Sequence, residues 1–329
     1  MAHYRNNLPQ LSSNLFITDG GIETTLIFRE GFELSDFAAF ELLKSELGYQ
    51  ALQKYFRTYA SMARDYQVGC ILESATWRAN PDWATKLGYD QPALAQLNRK
   101  AIALLHDIRQ EYETAQSPIV ISGCIGPRGD GYIPAHTMTV DQAAEYHHPQ
   151  IEAFRSADAD LVTAITVNYV EEGIGIVRAA QTAGMPVVIS FTVETDGILP
   201  TGQTLKDAIA EVDAATNHAP AYYMINCAHP SHFASVLTAG GSWVNRIRGI
   251  RANASSKSHA ELNESVELDD GNPEEFGQQY RDLKARLNNL NVFGGCCGTD
   301  HRHIEAICKA CAPLLWTRLS SPLCLTGQR

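Results

Sequence analysis

Short apolar runs alternate with longer amphipathic stretches eight times along this chain, and this alternation limits the possible folds more than any other feature. The apolar runs fall at residues 15–21, 70–77, 119–125, 160–167, 186–193, 222–227, 244–251 and 290–295. The stretches between them place apolar residues at helical spacing, as Leu52, Phe56 and Tyr59 do in a helix predicted over 47–66. Strands that alternate with helices in this way form parallel βαβ units.

Eight such units predict a closed (β/α)8 barrel, a TIM barrel, as a single domain over residues 1–329. An open, doubly wound sheet is the alternative, but no GxGxxG follows the first run to support a dinucleotide-binding domain. The last helix is predicted over 301–315. In such barrels the working residues lie at the C-terminal ends of the strands, so we expect the active site there.

The end of the eighth run carries an adjacent pair of cysteines. Residues 294–300 read Gly-Gly-Cys-Cys-Gly-Thr-Asp. Neighbouring side chains of a regular strand point to opposite faces, so Cys296 and Cys297 can reach one target only if the backbone leaves the extended conformation. The flanking glycines permit that change because glycine accepts positive φ. Asp300 or Thr299 can cap the helix that follows.

The two thiols can hold a metal, form a vicinal disulfide or simply pack. A zinc site needs at least one more soft ligand, and the best candidate is Cys227, which ends the sixth run 69 positions earlier (296 minus 227). If the barrel is correct, all three cysteines meet at one face. The remaining cysteines lack this setting, and the CxxC of Cys308 and Cys311 is predicted to pack within a helix; the others are Cys70, Cys124 and Cys324.

A zinc site with three thiolate ligands favours some reactions over others. Three thiolates around Zn²⁺ leave a net charge of about −1, which makes the metal a poor activator of water. A thiol that binds as the fourth ligand is different, because the metal lowers its pKa below the free value of about 8.5 and leaves the sulfur nucleophilic. Such a site suits alkyl transfer to a thiol.

Composition excludes several other classes. The chain has 26 basic and 37 acidic residues, a net charge of −11 without a basic cluster, which argues against a nucleic-acid surface. We find neither a signal-peptide pattern nor an apolar run long enough for a membrane span, and therefore expect a cytoplasmic protein with reduced thiols. Histidines at 147–148 and at 301 and 303 are predicted on solvated outer helix faces rather than at a second metal.

Three motifs of the sequence together resemble those of the homocysteine S-methyltransferase family. They are the Gly-Gly-Cys-Cys-Gly-Thr sequence, the Asn226-Cys227 pair and the turn Asp19-Gly20-Gly21. The family includes betaine- and S-methylmethionine-dependent enzymes and the homocysteine module of cobalamin-dependent methionine synthase. The likeness covers nearly the whole chain, and it implies a (β/α)8 barrel whose zinc ligands are Cys227, Cys296 and Cys297. Together with the strand ends it implies substrate contacts from Asp19, Gly20, Gly21, Thr76, Glu194 and Asn253.

Two positions depart from the family pattern. Members often carry Glu-Thr on the fourth strand, where the glutamate helps to hold the substrate's amino group; here the pair is Ile165-Thr166. After the seventh strand, Tyr-Pro-Asn is replaced by Arg251-Ala252-Asn253. The zinc site is therefore expected to be intact while recognition of the amino acid end of the acceptor has changed.

We predict a zinc-dependent S-methyltransferase that moves a methyl group from a small onium donor, such as S-methylmethionine or betaine, to a thiol acceptor, homocysteine, giving methionine. A different thiol or a corrinoid-protein donor is one alternative, although no cobalamin- or folate-binding extension is visible. A non-catalytic zinc or thiol redox sensor on the same barrel is another. The expected partners are these small molecules, with neither nucleic acid nor membrane; a homo-oligomer is compatible with the sequence.

Overall fold

The computed structural model describes residues 1–134, 137–265 and 267–313. Within them, eight parallel strands close into a barrel in sequence order, with the last strand paired to the first. The predicted (β/α)8 barrel is therefore confirmed. The strands are β1 (Phe16–Ile17), β2 (Gly69–Glu73), β3 (Ile119–Ile125), β4 (Leu161–Val167), β5 (Val187–Phe191), β6 (Tyr222–Asn226), β7 (Ile247–Ala252) and β8 (Val292–Gly295).

One principal helix follows each strand. These helices are α1 (Glu46–Tyr66), α2 (Gln91–Tyr112), α3 (Val140–Ser156), α4 (Val170–Ala183), α5 (Leu205–Thr216), α6 (Pro230–Thr238), α7 (Pro273–Arg286) and α8 (His301–Cys311). The predicted extension of the last helix to residue 315, and Cys324, lie outside the described residues. No helix in the described ranges is both long enough and apolar enough to cross a membrane.

Shorter helical segments occupy the connections. Ile22–Thr24 and Thr25–Arg29 follow β1, and Ser35–Phe37 and Ala39–Lys44 lead into α1; Pro9–Leu11, Pro81–Lys86, Ser242–Arg246 and His259–Glu264 are the others. The last of these lies in the connection after β7. Residue 259 is preceded by Ser258, whose side chain caps the segment in a capping box with Glu261.

The barrel has an inner core and an outer core, because successive strand residues point to opposite faces of the sheet. The inner core takes one apolar residue from most strands, and the N-terminal segment adds Leu8; the strand residues include Phe16, Ile71, Val120, Leu161, Val188, Met224 and Val292. In β7 this layer has Gly249, where a Cβ would lie 2.6 Å from the Cγ of Met224. The Met224 side chain thus fills the space that a larger residue on β7 would need.

Some strand limits and the placement of two histidines differ from the sequence interpretation; β1 and β7, for example, are shorter than the runs at 15–21 and 244–251. The run predicted as a strand to residue 77 ends at Glu73, since the backbone turns and Thr76 N–H donates to the carbonyl of Ser74. His147 and His303, expected on solvated faces, are buried: His147 lies 2.9 Å from Glu172, and His303 lies 3.3 Å from Asp300. Each histidine is held in the interior by an acidic partner, which helical periodicity alone does not reveal.

Candidate active site

Three cysteine sulfurs meet at the C-terminal end of the barrel. The Sγ atoms of Cys227, Cys296 and Cys297 lie within 4.8 Å of one another, and the described residues contain no other set of three or more histidine, cysteine or acidic side chains spaced so closely. Cys227 is buried, Cys296 is partly exposed and Cys297 is exposed. The cluster is therefore buried on the side of Cys227 and accessible on the side of Cys297.

Cys227 occupies a turn directly after β6. Its φ of +55° is in the left-handed region, which lets the chain bend sharply and aim the sulfur inward. The backbone is held on both sides: Cys227 N–H donates to the carbonyl of Arg251, and His259 Nε2 lies 2.5 Å from the carbonyl oxygen of Cys227. On the preceding residue, Asn226 Oδ1 accepts hydrogen bonds from Ser190 and from the N–H of Thr166. Neighbouring strands thus fix the position of this thiol.

The turn after β8 presents the other two sulfurs. Gly298 has a φ of +79°, as required for the chain to leave the strand. Cys296 N–H donates to the carbonyl of Ala252, and Cys297 N–H donates to the side-chain oxygen of Asn253 at 3.1 Å. Because Asn253 N–H also donates to the carbonyl of Ala228, the end of β7 connects the two cysteine-bearing turns.

The thiols influence one another's ionisation. Hydrogen bonds from Cys296 and Cys297 hold the pKa of Cys227 well below its usual range although burial opposes this, and the Tyr132 hydroxyl contributes. Hydrogen bonding to Cys227 in turn raises the pKa of both Cys296 and Cys297. Without a cation, one thiol of the cluster ionises readily and the other two resist. A bound cation is the physical condition under which all three become thiolates.

Tyr132 covers the cluster from the loop after β3. Its Oη lies 3.4 Å from Cys227 Sγ and 3.6 Å from Cys297 Sγ. The ring packs against that of His259, with 4.1 Å between centroids and 34° between the ring planes. The tyrosine and histidine therefore close one side of the site.

A buried ion network lies beneath the cluster. Arg251 Nη2 donates to Asp19 Oδ1 at 2.6 Å, Nη1 donates to Glu73, and Nε donates to the carbonyl of Gly295 at 3.2 Å. The second oxygen of Asp19 accepts from Tyr55 Oη at 2.9 Å. Burial raises the pKa of Asp19 and of Glu73, and Arg251 opposes that shift. The two carboxylates and one guanidinium satisfy each other, as buried charges require.

A cavity of about 350 Å³ opens above the sulfurs. Much of its wall is apolar, from Ile27, Phe28, Trp77 and Leu262. Ile165, at the position where the family often has glutamate, is also part of the wall. The cavity has the size and the mainly apolar lining of a site for a small molecule.

The predicted substrate-binding residues divide into two groups. Asp19, Gly20, Gly21 and Thr76 line the cavity, whereas Glu194 and Asn253 do not. A Cβ at Gly21 would lie 2.6 Å from the carbonyl oxygen of Cys296, so this glycine allows the turns after β1 and β8 to touch. The hydroxyl of Thr76 donates to the carbonyl of Cys124.

The two residues outside the cavity support the site. Glu194 has a 39% exposed side chain and lies 3.4 Å from His259 Nδ1. Asn253 is buried beside Cys297. Substrate contact by any of the predicted residues stays a prediction, but these two have evident structural partners.

Sequence reasoning missed four residues of the site. Tyr132 and His259 come from connections rather than strand ends, and no local pattern marks either residue. Glu23 and Arg78 also line the cavity. A signal was present for these two, because Glu23 comes two positions after the Asp-Gly-Gly turn and Arg78 follows Trp77 at the end of the second run.

A family model for homocysteine S-methyltransferase matches residues 16–311. The chain belongs to this family. Membership confirms the family and the methyltransferase class of enzyme that the sequence predicted.

Individual relatives are more distant. The homocysteine S-methyltransferase of Escherichia coli strain K12 is 27% identical over 212 residues, which cover 60% of this chain and 64% of that protein. Homocysteine S-methyltransferase 3 of Arabidopsis thaliana is 21% identical over 268 residues, covering 73% and 75% of the two chains. The metallated form of the homocysteine methyltransferase MmuM from Escherichia coli superposes with a TM-score of 0.72 at 19% identity, over 92% of this chain and 98% of that one. That superposition shows a shared fold.

Proposed function

We propose that this family member is a zinc-dependent S-methyltransferase that transfers a methyl group from a small onium donor, S-methylmethionine or betaine, to homocysteine. One observation carries the proposal: three cysteine sulfurs within 4.8 Å of one another lie at the base of a small cavity. Cys227, Cys296 and Cys297 would hold the metal.

The donor set fits zinc. Three cysteine sulfurs with one open side resemble zinc sites that leave a position for a further ligand. The cluster also needs added positive charge before all three thiols ionise. A metallated form of a structural relative exists, which supports a metal here. When bound, zinc supplies the charge that keeps an acceptor thiol deprotonated at neutral pH, while the anionic sulfurs leave that thiolate nucleophilic.

The chain's own residues position the reaction. Asn253 and His259 hold the cysteine-bearing turns, and the Tyr132 ring closes one side of the site. The apolar part of the wall reduces the contact of the reacting atoms with water. Holding donor and acceptor in line within such a site supplies much of the acceleration in a displacement reaction.

The transfer itself needs little proton movement. The acceptor thiol loses its proton to solvent on binding. Its sulfur then forms a bond to the methyl carbon as the bond from that carbon to the donor heteroatom breaks, and the electron pair returns to the donor. An onium donor leaves as a neutral molecule, so no acid is required to protonate it. We therefore assign no general acid or base to the cavity residues.

Methyl transfer from labelled S-methylmethionine or betaine to homocysteine tests the proposal. Zinc-loaded protein should form labelled methionine, and Cys297→Ala should lose both activity and stoichiometric zinc. Cys311→Ala is the matched control, because Cys311 is a buried cysteine of α8 outside the cluster; it should keep both. Full zinc without turnover on either donor would reject homocysteine methylation by these donors. Full zinc in Cys297→Ala would reject the ligand set.

A further inference from the structure

The charged groups of the cavity differ in whether they already have partners. Asp19 and Glu73 are both paired with Arg251. Asp130 accepts hydrogen bonds from the N–H groups of Tyr132 and Ile133, and Asp269 accepts one from Ser255. Glu267 also lines the cavity but is exposed to solvent, whereas Glu23 and Arg78 are at least partly buried and keep hydrogen-bonding capacity within the cavity.

Glu23 is a carboxylate without a partner cation. It lies in the short helix Ile22–Thr24, is partly buried and lines the cavity. Among the described residues, no ion pair or side-chain hydrogen bond reaches its carboxyl group. Burial raises its pKa to about 7 and Asp19 adds to the rise, whereas a hydrogen bond from its own N–H and the positive charge of Arg78 oppose it. A cationic group of a ligand would offset this unfavourable environment.

The guanidinium of Arg78 is held in a fixed position on the wall of the same cavity. Its Cζ lies 4.1 Å from the ring centroids of both Trp77 and Trp83, so two cation–π contacts fix the planar group. Nη1 donates to the carbonyl of Gly129 at 2.7 Å, whereas Nη2 forms no hydrogen bond among the described residues and, unlike Nε, is not fully buried. A planar guanidinium with free donors suits a carboxylate.

We propose that Glu23 and Arg78 bind the two ends of an α-amino acid zwitterion, with the ammonium at Glu23 and the carboxylate at Arg78. The inference rests on the proposed function, in which the ligand's sulfur lies at the cysteine cluster. It explains how the acceptor is recognised although Ile165 offers no carboxylate and both oxygens of Asp19 are engaged. The substrate class is therefore a thiol amino acid rather than a simple thiol.

Binding of analogues without sulfur tests the inference apart from methyl transfer. L-norvaline has a methyl group in place of the homocysteine thiol, pentanoate also lacks the ammonium, and butylamine also lacks the carboxylate. Trp77 and Trp83 flank Arg78, so tryptophan fluorescence reports occupancy. Glu23→Gln and Arg78→Gln are the test variants. Glu30→Gln and Arg128→Gln are matched controls, because these residues pair with Lys54 and Asp82 away from the cavity.

Each test variant should weaken L-norvaline binding by about tenfold or more, the usual effect of removing one charged hydrogen-bonding partner. Glu23→Gln should leave pentanoate affinity unchanged, and Arg78→Gln should leave butylamine affinity unchanged. The controls should bind all three ligands as the parent protein does. Failure of the parent to bind L-norvaline, unchanged L-norvaline affinity in both test variants, or equal weakening of all three ligands would overturn the inference.

The result of this binding experiment can be distinguished from the result of the methyl-transfer assay. The selective pattern without turnover would retain the amino acid site and reject the proposed reaction. Turnover without the pattern would retain the reaction and reject the roles of Glu23 and Arg78.

Discussion

Arg251 Nη2 and Asp19 Oδ1 lie 2.6 Å apart inside the barrel and join the end of β7 to the turn after β1. The strand between them is β8, which carries the cysteine pair. The same guanidinium binds Glu73, the last residue of β2. One side chain therefore connects three strand ends beneath the site.

Replacing Arg251 with methionine should destabilise the fold by about 3–5 kcal/mol, because it leaves two buried carboxylates without a cation. Arg57→Met removes an exposed ion pair with Glu111 and should cost no more than about 1 kcal/mol. Urea unfolding at neutral pH measures both. Adding Glu73→Gln to Arg251→Met should recover part of the loss, and a double variant as unstable as the sum of the singles would contradict the network.

Tyr132→Phe should weaken metal binding by about 10-fold or more without unfolding the protein. The phenol donates to Cys227 Sγ at 3.4 Å, and groups that hydrogen-bond to metal ligands commonly affect affinity on this scale. Competition with a chromogenic chelator measures the affinity. Tyr146→Phe is the control, since that hydroxyl donates to Asn80 away from the sulfurs. Equal affinities in the two variants would show that the Tyr132 hydroxyl does not support the ligands.

Two glycines of α4, two positions apart, should respond oppositely to alanine. A Cβ at Gly173 meets Val212, Phe191 and Val167 at 3.6–3.7 Å, which is ordinary contact. Gly173→Ala should therefore be neutral or stabilising by up to about 1 kcal/mol through helix propensity. A Cβ at Gly175 would lie 2.7 Å from the carbonyl oxygen of Val140, where α3 begins, so Gly175→Ala should cost about 1–3 kcal/mol. Urea unfolding of both variants distinguishes them, and equal effects would contradict the close approach of the two helices.

Asp300→Asn should destabilise the protein in a pH-dependent manner. Although burial alone would raise the pKa of Asp300, hydrogen bonds from His303 and Arg302 hold it well below the usual value. A depressed native pKa stabilises the fold above the unfolded-state pKa of about 3.9, and that stabilisation is lost as the pH falls further. The variant should thus be less stable by about 1–2 kcal/mol at pH 7, and the difference should shrink below pH about 4.

Unfolding in urea at pH 7, 5 and 3 gives this difference. Asp90→Asn is the matched control, because Asp90 caps α2 through the N–H of Ala93 and forms no ion pair among the described residues. Asparagine caps helices about as well as aspartate, so the control should change little at any pH. A constant difference between parent and Asp300→Asn from pH 7 to pH 3 would exclude the charge as its cause.

The sequence alone was sufficient to predict the barrel and the convergence of the three cysteines, and the two predictions have related physical reasons. Strand and helix periodicities are local, and eight repeats of one alternation leave few folds. The position of the cysteines follows directly from that fold because they come immediately after β6 and β8, and strand ends of a barrel share one face. The pairing of Arg251 with Asp19 and Glu73 could not be predicted from the sequence, because it joins residues 232 and 178 positions apart.

The sequence also did not predict which residues of the connecting segments reach the site. Tyr132 and His259 lie on segments whose path depends on tertiary contacts, and each meets the cluster only after the loop has packed. The burial of His147 was missed for a similar reason. Its helix reads as amphipathic, but the acidic partner Glu172 comes from the next helix, α4.

In the metal site proposed above, the order of the cysteines along the chain would make metal occupancy a measure of barrel closure. Cys227 is present once β6 has formed, but Cys296 and Cys297 follow β8, the strand that joins β7 to β1. A chain interrupted before residue 296 retains one of the three sulfurs. During synthesis, the complete ligand set can assemble only after the final strand has emerged and inserted, so an ion captured by three sulfurs marks a molecule whose sheet has already become a ring.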